Sequence, residues 1–157
     1  RKEDDMILGL HHAALSVPDM QRALDFYCGV LGFEVVMEAE LPEGLMERPF
    51  GLSRADCKVR MIRKGNSCIE LFEFGAPVGP GDGGRPVSRH GIAHIALASD
   101  DVPGDYQRLC EAGVAFNTEP QGEAPMRWCY GRDPFGNAIE LLENAPGPTG
   151  LDFSDNG

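Results

Sequence analysis

One pattern of residues occurs twice along the chain. His12-Ala13-Ala14-Leu15-Ser16 is matched 82 residues later by His94-Ile95-Ala96-Leu97-Ala98, and Asp19 by Asp101 at the same separation. Ile69-Glu70-Leu71-Phe72-Glu73 is matched by Ile139-Glu140-Leu141-Leu142-Glu143, 70 residues further on. A longer loop at 42–55 in the first copy accounts for the smaller offset. Duplicated units usually pack together to bury what neither buries alone, so two related halves are expected.

The order of elements repeats as well. Leu8 to Val17 reads as a strand, and Asp19 can cap the helix that follows. Leu24, Tyr27 and Leu31 recur at helical spacing before Gly32. Strands are expected at Phe33 to Leu41, Cys57 to Arg63 and Ser67 to Phe74, with a loop over 42–55. In the second copy Gly91 to Ala98 is a strand, Val102, Tyr106 and Leu109 mark a helix capped by Asp100 or Asp101, and Gly113 ends it. Val114 to Thr118, Met126 to Arg132 and Asn137 to Glu143 complete that half. The fold class is therefore α+β, with two βαβββ modules. The first spans 6–74, a Gly/Pro-rich linker 75–90, the second module 91–143, and a flexible acidic tail 144–157.

Charge and cysteine usage narrow the function. The 157-residue chain carries a net charge of −11, which disfavours nucleic acid and anionic membrane surfaces as partners. It holds no apolar run near bilayer-spanning length and no secretory core near its start. The five cysteines are scattered singly, with no C-x-x-C spacing, and read as reduced thiols of a cytoplasmic protein.

Four polar residues sit in apolar strand segments at equivalent places of the repeat: His12, Glu70, His94 and Glu140. A carboxylate between Ile and Leu in mid-strand is costly to bury without a compensating partner. Two such carboxylates, each matched by a histidine, point to a divalent cation. Imidazole and carboxylate suit Zn, Ni, Co, Mn or Fe(II). Strand alternation puts His12 with Ala14 and Ser16, and His94 with Ala96 and Ala98, on faces with room for a ligand. It puts His11 on the opposite side. Glu73 and Glu143 have the opposite parity and read as solvated or capping residues, and nothing marks His90 as a ligand.

These residues resemble the vicinal-oxygen-chelate superfamily, which includes glyoxalase I, extradiol dioxygenases and bleomycin-binding proteins. The first-half motif is His12-x-Ala-x-Ser-Val-x-Asp, followed by Ala23, Phe26, Tyr27 and Leu31-Gly32-Phe33. The second is Gly91-Ile92-Ala93-His94-Ile95 with Asp133-Pro134-x-Gly136-Asn137-x-Ile139-Glu140-Leu141. The resemblance covers about residues 7–143. It implies a curved, mostly antiparallel sheet around a metal-binding cleft, with His12, Glu70, His94 and Glu140 as ligands of one divalent metal ion.

The implied chemistry is Lewis-acid stabilisation of an enolate-like intermediate, in a lyase or isomerase reaction on a small oxygenated substrate. Glu70 or Glu140, displaced from the metal, would be the general base. Glu at position 70 favours this branch over an extradiol-type Fe(II) dioxygenase, whose two-His, one-carboxylate triad leaves that place open. The third class, a metal-free drug- or natural-product-binding resistance protein, usually lacks the full ligand set. The flanking pattern expected for glutathione is not reproduced after the first helix. Arg60, Arg63, Arg127 and Arg132 could bind a substrate anion, and Trp128 and Tyr130 share strand parity. The resemblance also implies a homodimer.

Overall fold

The computed structural model describes residues 9–81, 83–147 and 150–151. The chain divides into two compact units, the first running through Val78 and the second beginning at Gly79.

The first unit holds a four-stranded sheet in the order β1-β4-β3-β2, with β1 Ala13–Ser16, β2 Glu34–Leu41, β3 Asp56–Lys64 and β4 Ser67–Ala76. β1 runs parallel to β4, and the other neighbours are antiparallel. A tight turn joins β3 to β4, with Gly65 at a φ of +55° that a side chain would disfavour. On one face, Ile62, Ile69 and Leu71 are buried. The helical segment between β1 and β2 contributes Met20, Ala23, Phe26 and Tyr27 to the buried core. It opens as α1, Met20–Leu24, where the Asp19 carboxylate accepts the Arg22 N–H at 3.0 Å.

The second unit holds a three-stranded sheet in the order β5-β7-β6, from β5 Ile95–Ser99, β6 Trp128–Arg132 and β7 Ala138–Glu143. β5 is parallel to β7, and β6 is antiparallel to it. Helix α3, Val102–Glu111, starts on Asp101, whose carboxylate accepts the Gly104 N–H. Val102, Leu109, Cys129, Ile139 and Leu141 form its buried core. In each unit one parity of the strands faces a helix. The other parity is left for the candidate site.

Several elements differ from the sequence expectation. β1 starts at Ala13 and β5 at Ile95, so His12 and His94 stand just before their strands rather than within them. Leu8, the expected start of the first strand, lies outside the described residues. After Leu24 the helix widens into a π-helix over Asp25–Val30, closed by Leu31 N–H to Phe26 O at 3.0 Å. The widened turn buries both of the adjacent residues Phe26 and Tyr27. The 42–55 loop contains a four-residue helix, α2 Glu47–Phe50.

The expected strand 114–118 is not a named strand. It bridges β6 only at Phe116–Gly131, with Asn117 N–H donating to Tyr130 O. The ladder breaks at Glu119-Pro120, where proline has no N–H to donate, and one more bridge forms at Gln121–Trp128. Residues expected in the linker and tail also carry structure. β4 runs on to Ala76, and Gly84 N–H donates to Gly136 O at 3.2 Å. Asn144 exchanges two hydrogen bonds with Leu151, while 152–157 lie outside the described residues.

Candidate metal centre

The parallel pairing of β1 with β4 sets Ala14 beside Glu70. His12 stands just ahead of β1, two residues before Ala14, and its ring reaches the Glu70 carboxylate diagonally. His12 Nε2 and Glu70 Oε2 are 3.1 Å apart. The second unit repeats this arrangement. Ala96 pairs with Glu140, and His94 Nε2 stands 3.1 Å from Glu140 Oε2. The histidines are about one-third exposed, at 32% and 33%, while the glutamate side chains are less so, at 18% and 10%. Each pair is thus open enough to be reached and buried enough to need a partner.

The donor chemistry fits a divalent ion. Metal–nitrogen and metal–oxygen bonds of about 2.0–2.2 Å put two adjacent ligand atoms about 3.0–3.4 Å apart, depending on geometry. The 3.1 Å separation in each unit falls within that span. It also suits a hydrogen bond when one partner carries the proton. Among the described residues no group of three or more His, Cys, Asp or Glu side chains is gathered around a common point. Each unit contributes a pair.

His11 is not on the far side of the strand. Its ring stands edge-on to His12 at 5.1 Å, with the two Nδ1 atoms 2.9 Å apart. Both histidines precede β1, where strand alternation does not hold. If His12 Nδ1–H is the donor in that contact, its Nε2 lone pair is left for a ligand. A histidine ligand's second nitrogen commonly has such a partner.

The two glutamates have different neighbours across the sheet. Met61 pairs with Glu70, and Tyr130 pairs with Glu140. The Tyr130 ring is edge-on to His94 at 5.2 Å. Burial, then a hydrogen bond to the Glu140 carboxylate, pushes the phenol up from its ordinary pKa. Next along β4 from Glu70, Phe72 and Phe74 stack on one another, and Phe50 of α2 stands edge-on to both. Nothing in the residue pattern marks this contact, because Phe50 sits in a stretch that reads as loop.

The remaining candidates separate by face. Arg60 pairs with Leu71 on the helix-facing side, where it binds Glu38 and Glu40 at 3.1 Å each. Arg127 is held by Glu143, and Arg132 donates to Gly136 O at 3.0 Å. Arg63 pairs with Cys68, on the parity of Glu70, and is exposed. Trp128 and Tyr130 share the parity of Glu140. Glu73 accepts the Met20 N–H at the start of α1 and binds Lys58 Nζ at 2.7 Å. The concave surfaces lined by Lys58, Glu40 and Glu73 include neither His12 nor Glu70. Among the described residues the His–Glu pairs recur in both units, whereas these concave surfaces belong to the first unit. Among the described residues no helix is long and apolar enough to cross a membrane.

Residues 9–141 match the family model described as Glyoxalase/Bleomycin resistance protein/Dioxygenase superfamily. The chain is 30% identical over 149 residues to a 2-epi-5-epi-valiolone epimerase from Actinomyces sp, covering 86% of this chain and 79% of that protein. It is 26% identical over 147 residues to a lactoylglutathione lyase from Escherichia coli O157:H7, covering 90% and 97%. The crystal structure of a glyoxalase family protein from Bacillus cereus superposes with a TM-score of 0.80 at 24% identity, covering 90% of this chain and 97% of that one. The duplicated fold and the family match agree: the chain belongs to the glyoxalase/bleomycin resistance protein/dioxygenase superfamily.

Proposed function

We propose that the chain is a metal-dependent lyase or isomerase that moves a proton beside a carbonyl of a small oxygenated substrate. His12, Glu70, His94 and Glu140 are the ligands of one divalent cation: zinc, nickel, cobalt, manganese or iron(II). The observation that carries this reading is the His–Glu pair that recurs in both units with the same 3.1 Å spacing. The cation would supply Lewis-acid stabilisation of negative charge developing on a substrate oxygen. The chain's own part is to orient imidazole and carboxylate, and to offer a carboxylate as proton acceptor. The relatives named as an epimerase and a lyase support this class of reaction. The working form is a homodimer, a reading supported by the exposed Val35, Val36 and Met37 on edge strand β2.

The test uses the purified chain loaded with each of the five cations, in deuterium oxide, with a panel of 2-hydroxy ketones. Deuterium entering the carbon beside the carbonyl, and lost in a Glu70→Gln/Glu140→Gln variant, is the expected result. Oxygen uptake with catechols and no exchange would overturn it in favour of an iron dioxygenase. Tight capture of a natural product without metal or turnover would make the chain a sequestering protein.

A further inference from the structure

The first copy of the repeat carries two features that the second lacks. One is the longer loop at 42–55. The other is a pair of phenylalanines on β4: Phe72 corresponds to Leu142 and Phe74 to Asn144. The two features meet. Phe50, at the end of α2 in the loop, stands edge-on to Phe72 at 5.6 Å and to Phe74 at 5.7 Å, and those two rings stack 5.7 Å apart. The loop is tied to itself around this contact. The Glu47 carboxylate accepts the Arg54 N–H at 2.7 Å, and Arg54 Nε binds Glu43 at 3.2 Å.

Phe26 and Phe33 are buried in the core, whereas Phe50, Phe72 and Phe74 are each left partly exposed. Strand alternation puts Phe72 and Phe74 on the face that carries Glu70. On β1, the residues paired with Glu70 and Phe72 are Ala14 and Ser16, both small and exposed, so that side leaves room beside them. On β3, the paired residues are Met61 and Val59, which are buried and apolar. The Phe74–Phe72 stack runs along β4 toward Glu70, so a flat group laid against it comes to rest beside the carboxylate.

We propose that Phe50, Phe72 and Phe74 form a wall that receives an aryl substituent on the substrate carbonyl, with Phe50 as the specificity-determining residue. Stacked and edge-on rings suit another aromatic ring better than a small polar group. Loops that carry such contacts are a common seat of specificity on a fixed scaffold. The inference deepens the proposed function by naming its substrate class, aryl ketones with a neighbouring hydroxyl. It rests on that reading for what is bound beside the wall.

The test measures, by isothermal titration calorimetry on the full chain with and without zinc, the affinities for 2-hydroxyacetophenone and hydroxyacetone. The first carries a phenyl group where the second has a methyl. The parent is expected to prefer the phenyl compound roughly 10-fold or more, and Phe50→Ala to bring the two affinities within about 3-fold of each other. Phe50→Leu keeps the apolar bulk of the loop should the alanine variant not fold, and its preference is expected to fall between those of the parent and Phe50→Ala. Phe33→Leu, a change in the buried core, should lower the melting temperature and leave the preference as it is. Equal affinities in a parent that binds zinc, or a preference unchanged in Phe50→Ala, would overturn the inference alone. A preference that merely follows the melting temperature through all three variants would also overturn it, making Phe50 loop packing. A parent that binds none of the five cations, yet keeps a Phe50-dependent phenyl preference, would remove the metal reading and support the wall.

Discussion

The proposed metal ligands were legible because they break a pattern twice. A histidine before each short strand and a glutamate inside each apolar one would say little singly, and it is the repetition that ties them together. Their cross-strand neighbours were not legible. That Tyr130 faces Glu140 and Met61 faces Glu70 follows from register, which sequence spacing does not give. The His11–His12 contact was missed because alternation was extended past the true start of β1. Glu73 shows what such a neighbour does. Its hydrogen bond to Lys58 is the largest of the effects that hold its pKa below the ordinary carboxylate value, and the Met20 N–H adds to it against the opposing effect of burial. A folded-state pKa below the unfolded one, which is about 4.3 for Glu, stabilises the fold above that pH and ceases to as pH falls through the folded value. Glu73→Gln should therefore lower the melting temperature at pH 7. The difference from the parent should shrink as pH is lowered through 4, as followed by circular dichroism. An unchanged gap at low pH would contradict the ion pair's part in it.

At the scale of elements, strands with strong alternation and clear turns were placed to within a few residues, as at β3 and β4. The departures have local causes. Phe26 and Tyr27 are adjacent and both buried, and the helix widens around them, which a strict helical spacing does not anticipate. The chain then leaves the helix through Gly32, at a φ of +76°. A Cβ there would stand 3.2 Å from Lys64 Nζ, which is itself bonded to Leu31 O. Gly32→Ala should cost about 1 kcal/mol or more, because a side chain is disfavoured in left-handed backbone. Urea unfolding measures this, and an unchanged midpoint would mean that the turn relaxes freely. α2 escaped notice because four residues are too few to show a period, and 114–118 reads as a full strand although it joins β6 only through the Phe116–Gly131 bridge.

At the scale of the whole molecule, the duplicated pattern foretold a fold in which each half builds its own sheet and helix. It did not foretell that the second sheet would keep only three strands where the first has four. The net charge of −11 disfavours some partners without naming one, because charge speaks to solubility and association rather than to a site. The central claim concerns the whole chain, since the proposed ligand set draws one pair from each unit. Its most direct test is the metal content of the purified protein by mass spectrometry, beside a His12→Ala/Glu140→Ala variant that removes one ligand from each pair. The account predicts a near-stoichiometric divalent cation in the parent and its loss in the variant. A parent that holds no divalent ion, even after reconstitution, would contradict it.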